Sequence, residues 1–184
     1  MDKVKIVELL CKISILFGEL LPYYVKKYNI LNILCHICSS RSKVEDYCED
    51  VAFSHKQMIK DWEIFRASCL SNINDIIMTL GIHSNIYMLQ VIDIALGILQ
   101  HEQSNSLILK RSSLYLLHTI VFLNVSCVGF NTNMANKTLF NEKLQYIRIV
   151  LENLLRNCNI QVHEAEINDA VCNHHIQRCL SLYS

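Results

Sequence analysis

An all-α chain is predicted by two observations, the scarcity of turn-forming residues and the recurrence of apolar positions at steps of three and four. Of 184 residues only 4 are Gly and 1 is Pro, while hydrophobic residues reach 52% and charged residues only 18%, so long helices joined by few tight turns follow. The length suits a single domain over residues 1–184 and no more. The 17 basic and 17 acidic residues cancel. Adjacent basic pairs occur only at Lys26-Lys27 and Lys110-Arg111, leaving no stripe to neutralise phosphates, so nucleic acid is not an expected partner. Asp2, Lys3, Lys5, Glu8 and Lys12 interrupt the amino-terminal apolar run, which argues against an export signal and for a cytoplasmic chain. The 9 cysteines then read as reduced thiols that pack like small apolar side chains. Ser112 to Asn136 is uncharged, but His118, Asn124, Ser126, Asn131 and Asn133 break it. A buried helix followed by a polar loop is the expectation there, with membrane association peripheral at most.

Seven helices are expected in order. The first runs from about Asp2 to Gly18 on Val4, Val7, Leu10, Cys11, Ile15 and Phe17. Pro22 opens the second, where its missing N–H costs nothing, and Tyr24, Ile30, Leu31, Ile33 and Leu34 carry it to Cys38. A polar loop insertion follows at about residues 39–60. The third helix starts at Asp61 as N-cap, presents Phe65, Cys69, Ile73, Ile76, Ile77 and Leu80, and ends at Gly81. Ser84 caps a fourth, Asn85 to Gln100, with Ile86, Leu89, Ile92, Leu96 and Leu99 on one face and Val91, Ile94 and Ile98 on another, a pattern for burial on most sides. Gly97 inside it costs up to about 1 kcal/mol against Ala, a cost tolerated where another backbone comes close. The last three helices run from about Ser106 to Asn124, Asn136 to Asn157 and Ala165 to Leu182.

The third and fifth helices look like copies. Phe65-Arg66-Ala67-Ser68-Cys69-Leu70 sets against Lys110-Arg111-Ser112-Ser113-Leu114-Tyr115, and the two arginines are 111 − 66 = 45 residues apart. That falls in the period of about 40 to 47 of HEAT and armadillo units. A HEAT/armadillo-like α-solenoid of three helical hairpins plus a terminal helix is therefore expected, each hairpin covering the apolar face of the next. Arg66, Ala67, Ser68, Leu70, Arg111, Ser112 and Ser113 are its repeat positions, the small residues allowing close stacking. A buried Arg66 is expected to reach an acidic partner, Asp75, Asp93 or Glu102. Losing one side of such a pair costs about 3 to 5 kcal/mol, so Arg66→Ala is expected to unfold the domain.

The run Glu63 to Ile73, with Phe65-Arg66-Ala67-Ser68-Cys69-Leu70-Ser71-Asn72 at its centre, resembles a signature near the carboxyl end of the transport and Golgi organization protein 6 family. Val4 to Tyr24, through Gly18-Glu19-Leu20-Leu21-Pro22-Tyr23-Tyr24, is similar to the preceding helix pair of that family, and Leu109 to Leu117 to a later helix. Leu144 to Leu155 and Asn168 to Leu180 resemble its two closing helices. The likeness covers nearly the whole chain. It departs in the long link from Ser39 to Trp62 and in Lys110, where the family carries a first arginine. The family proteins are much longer, so a first helix opening directly at Met1 implies either a shortened product or another cover for that helix. The resemblance implies a cytoplasmic scaffold in protein transport and Golgi organisation, with transport machinery as partners. Through a fungal relative it also implies assembly and nuclear import of RNA polymerase II, with polymerase subunits as partners and shuttling to the nucleus.

An enzyme is not expected. Gly18, Gly81, Gly97 and Gly129 are too dispersed for a phosphate-cradling loop, no elbow marks a nucleophile, and no cofactor or small-molecule substrate is implied. Cys35 and Cys38, with Cys48 and His55 downstream, are a weak metal set, because a structural zinc site needs a second ligand pair of matching spacing. Cys172, His175 and Cys179 form a still weaker one. Core packing is the preferred reading of both. A compact bundle that holds one partner helix in a groove, as Bcl-2-like proteins do, is the competing fold.

Overall fold

A computed structural model describes residues 20–40, 52–101, 106–126, 137–160 and 170–183, together with Lys5, Leu9, Lys12 and Leu16, which are helical. The protein is all-α: among the described residues there is no strand. The helices are α1 (Leu21–Lys27), α2 (Ile30–Ser39), α3 (Ala52–Leu80), α4 (Met88–His101), α5 (Leu107–Ser126), α6 (Lys137–Ile160) and α7 (Ala170–Ser181), with a 3-10 segment, Gly81–Tyr87, between α3 and α4. The apolar face expected on the first helix lies outside the described residues.

Pro22 sits in the first turn of α1 as its missing N–H allows. The second helix is broken, however. Tyr28 and Asn29 turn the chain between α1 and α2, and Asn29 takes a left-handed conformation, φ 54°, which Asn tolerates better than most residues. Its amide and that of Tyr28 close on the carbonyls of Lys26 and Tyr24, so α1 ends with satisfied backbone.

The polar loop expected up to residue 60 is already helical from Ala52. Asp61 is inside α3, accepting from Gln57 Nε2 one turn earlier at 2.8 Å, rather than capping it. Polar residues there form a solvated helix face, not a break. Gly81 has the left-handed φ of 52° expected of a helix end, but the chain continues as 3-10 turns. Ser84 Oγ donates back to the Gly81 carbonyl at 2.6 Å, so α4 starts at Met88 and not beside Ser84. Ile86, expected on the core face, is 72% exposed.

Six helices pack in two rows. In one, α2, α4 and α6 touch in succession; in the other, α3, α5 and α7 do, and this row carries the larger contacts. The rows join through α2 on α3, α4 on α5 and α6 on α7. Leu31, Leu70, Ile73, Ile76, Ile77, Met88, Ile92, Leu109, Leu116 and Phe140 are fully buried between them. The first row is tied at its surface by the Lys143–Asp93 ion pair and by Gln100 Nε2 donating to Tyr146 Oη at 2.9 Å. The helical run Gln57–Gln100 contains a stretch long and apolar enough to cross a membrane, mean hydropathy 1.4, of which 39% is buried in the fold.

Gly97 has no atom within 4 Å of where a Cβ would stand, so no neighbouring backbone explains it. Gly97→Ala is expected to raise stability by about 0.5–1 kcal/mol through lower unfolded-state entropy. Gly81→Ala, at positive φ, is expected to lower it by about 1–2 kcal/mol. Urea unfolding of the two variants checks both signs.

Candidate functional site

The last turn of α2 leaves carbonyls without intrahelical donors, and side chains meet two of them, Ile37 O and Cys38 O. Ser39 Oγ donates to Cys35 O at 2.9 Å and Ser40 Oγ to Ile37 O at 2.8 Å, while the Ser40 amide reaches His36 O at 3.0 Å. Cys38 O is taken by Arg66 of α3, whose Nε and Nη2 donate to it at 3.0 and 2.7 Å. Arg66 is only 5% exposed. A buried guanidinium is costly, and here it meets the negative end of a helix dipole together with a carbonyl acceptor. In return Cys38 Sγ donates to Arg66 O at 3.7 Å, so α2 and α3 are clasped reciprocally. Of the acidic partners expected from the sequence, Asp93 pairs with Lys143, Asp75 is exposed and Glu102 lies outside the described residues.

One turn beyond Arg66, Cys69 hydrogen-bonds with Cys38, which pushes the Cys38 thiol well above its ordinary 9.0 and draws Cys69 below it. Burial alone pushes Cys35 up to about 12, and Cys179 likewise. Tyr183, burying its ring and donating to Leu144 O at 2.7 Å, is raised as well, by burial first and Cys179 second. These four cysteines are free and buried. Cys35, Cys38 and Cys179 behave as packed thiols held in the neutral form.

The structure therefore brings Cys35 and Cys38 together with Cys69 and Arg66, at a helix junction. Cys48 lies outside the described residues, and so do the side chains of His55, Cys172 and His175. No group of three or more metal-ligating side chains forms among the described residues.

The repeat positions are placed with one change of register. Ala67 and Leu70 are buried and Ser68 half-buried; Ser113 is buried, with Arg111 and Ser112 half-buried. Burial does not superpose at the 45-residue separation of the arginines. Six buried positions coincide at 108 − 64 = 44: Cys69, Leu70, Asn72, Ile73, Ile76 and Ile77 are buried, and so are Ser113, Leu114, Leu116, Leu117, Ile120 and Val121, whereas exposed Asp75 and Thr79 fall on buried Thr119 and Leu123. Exposed Ile64, Ser71 and Met78 likewise correspond to exposed Ile108, Tyr115 and Phe122. In this register Lys110 stands where Arg66 does, and Arg111 where Ala67 does.

These exposed residues form an open face on α3 and on α5. Sequence reading misses the one on α5, because that helix is apolar nearly all round and its exposed stripe does not stand out from the buried ones. On the same helix His118 stacks against Phe122, ring centroids 6.5 Å apart.

Arg66→Ala is expected to cost about 1.5–3 kcal/mol, the worth of hydrogen bonds to a charged group, without unfolding the chain. Arg66→Lys keeps the charge but not the two-pronged geometry and is expected to fall between, as thermal denaturation of both variants would reveal. The buried thiols set the alkaline limit. Below about pH 9 they are protonated folded or unfolded, and their contribution is fully present; as pH climbs from 9.0 toward 12 the unfolded thiols ionise first and stability falls, with Cys69 acting in the opposite sense. Urea midpoints at about pH 8, 9.5 and 10.5 should decline, less steeply in Cys35→Ala; a flat profile would contradict the assignment. No protein-family model, curated protein or solved structure matches the chain.

Proposed function

We propose that the chain is a HEAT-type α-solenoid segment, stacked as three helical hairpins, that works without chemistry of its own as a cytoplasmic scaffold holding partner proteins. The observation that carries the stack is the recurrence of one burial pattern at a 44-residue shift between α3 and α5, inside the period of about 40 to 47 of such units. In the first row Leu31, Leu34, Cys35 and Cys38 of α2 and Met88, Val91, Ile92 and Ala95 of α4 are buried at the ordinary spacing of a helix face, 88 − 31 = 57 residues apart, so the 44-residue recurrence is carried by α3 and α5 alone. Each hairpin meets the next through both of its helices, the nearest-neighbour contact from which solenoids are built. A compact bundle gathered about one helix has no reason to repeat its burial pattern at a fixed interval.

The family resemblance carried by Glu63 to Ile73 and the later helices supports a role in protein transport and Golgi organisation. Assembly and nuclear import of RNA polymerase II is the second reading, carried by the same residues. Affinity purification of the full chain separates them: coat and Golgi components favour the first, polymerase subunits the second, and neither set retained removes both. The stack is tested by truncation after Ser126, which deletes the last hairpin. Stability that depends on nearest neighbours predicts a lower urea midpoint with cooperative unfolding and helical circular dichroism retained. Loss of cooperative unfolding would favour the bundle.

A further inference from the structure

We propose that Cys38 of α2 and Cys69 of α3 are a redox-sensitive pair, whose oxidation by a hydroperoxide to a disulfide locks the end of α2 onto α3. The two side chains come from different helices, both are fully buried, and they hydrogen-bond with each other. A second contact fixes the approach: Cys38 Sγ lies 3.7 Å from Arg66 O, the carbonyl one turn before Cys69 on the same helix. Thiols already in contact across a helix pair meet the first requirement of a disulfide, that the two side chains face each other. Arg66 holds them so, since its Nε and Nη2 grip the Cys38 carbonyl. Cys35 sits one turn back on the helix of Cys38, and Cys179 lies beside Tyr183 near the other end of the chain.

The chemistry has an order. Cys69 accepts the Cys38 S–H, which draws the Cys69 thiol below its ordinary 9.0, so Cys69 supplies the thiolate that acts as nucleophile. Its sulfur attacks one oxygen of hydrogen peroxide and the O–O bond breaks. A sulfenic acid forms on Cys69, and the released hydroxide takes up the proton that Cys69 gave up. The Cys38 sulfur then displaces the sulfenic oxygen, which leaves as water with the Cys38 proton. Two thiols lose two electrons, one peroxide gains them, and two waters result. The Arg66 guanidinium, which favours the anionic form of Cys38 against burial, steadies negative charge at the pair throughout.

Burial sets the rate of this step and not its outcome. Cys38 is the penultimate residue of α2, and the last turn of a helix opens at a far smaller free energy than the whole fold. Peroxide, little larger than water, reaches the pair in that open state, and the new bond closes it. In a cytoplasmic chain such bonds are transient and sensing rather than structural.

The test exposes the full chain to hydrogen peroxide, blocks remaining thiols with N-ethylmaleimide and digests it with trypsin without reductant. Residues 28–41, which hold Cys35 and Cys38, and residues 67–110, which hold Cys69, are expected to appear as one joined peptide, two hydrogens lighter than their sum, that dithiothreitol separates. Cys35→Ala should keep the link, while Cys38→Ala and Cys69→Ala abolish it. The reaction is expected to quicken in urea well below the unfolding midpoint, as opening of α2 requires. Closing a loop of 69 − 38 = 31 residues should raise the urea midpoint of the oxidised wild type by about 1 M, reversibly with dithiothreitol. Absence of the joined peptide overturns the proposal. So does its survival in Cys38→Ala, which makes Cys35 the partner, or an oxidised midpoint below the reduced one, which makes the bond a distortion of the junction.

Discussion

Helix α5 has to be covered on three sides, and the rest of the architecture is arranged around that requirement. Leu109, Ser113, Leu114, Leu116, Leu117, Thr119, Ile120, Val121 and Leu123 are all buried, nearly half of a helix of 20 residues. No single neighbour can cover so wide an arc. A lone helix of this length is marginal in water even with good propensity, so α5 exists only with α3, α4 and α7 in place. The packing of the second row follows directly, since α3 and α7 must lie along opposite sides of the same helix while α4 takes the third.

Much of this was legible as period, and what escaped did so for identifiable reasons. Helix existence follows from apolar steps of three and four, and α5, α6 and α7 lie close to their expected spans. Ends were harder, because polar sequence is compatible both with a loop and with a solvated helix. Ala52 to Lys60 offers no Gly or Pro to stop a helix, and α3 extends through it. Asn29 breaks the helix predicted from Pro22 to Cys38 by adopting a backbone conformation that an apolar pattern does not encode. Aligning the two arginines sets α3 against α5 one residue, about 100° around a helix, away from the shift at which six buried positions coincide.

Arg66 illustrates a related limit. Sequence offers a buried cation a choice of acidic partners, since those are the groups with a formal charge. Backbone carbonyls at the end of a helix are equally suitable acceptors, but they become available only when the chain folds so that α2 ends beside α3. The clasp joins Cys38 and Arg66 through both their side chains and their carbonyls, and it fixes where α2 stops relative to α3. The nearby Cys35 and Cys38 thiols, apolar and kept neutral by burial, fill space that a charged or larger side chain would disturb. Both are buried at this junction beside Cys69 and Arg66.

A repeated burial pattern separates stability from recognition. Six buried positions on α3 match six on α5 in phase, including Ile73 with Leu117 and Ile76 with Ile120, so any change there is felt by a neighbouring helix as a cavity or a clash. The open positions carry no such duty. Ser71 on α3 and Tyr115 on α5 hold equivalent places in the register, yet they differ completely in size and chemistry. Such divergence costs the core nothing, because the side chains point away from it. On α3 and α5 the buried side chains are therefore tied to their neighbours, while the exposed ones are free to differ in size and chemistry.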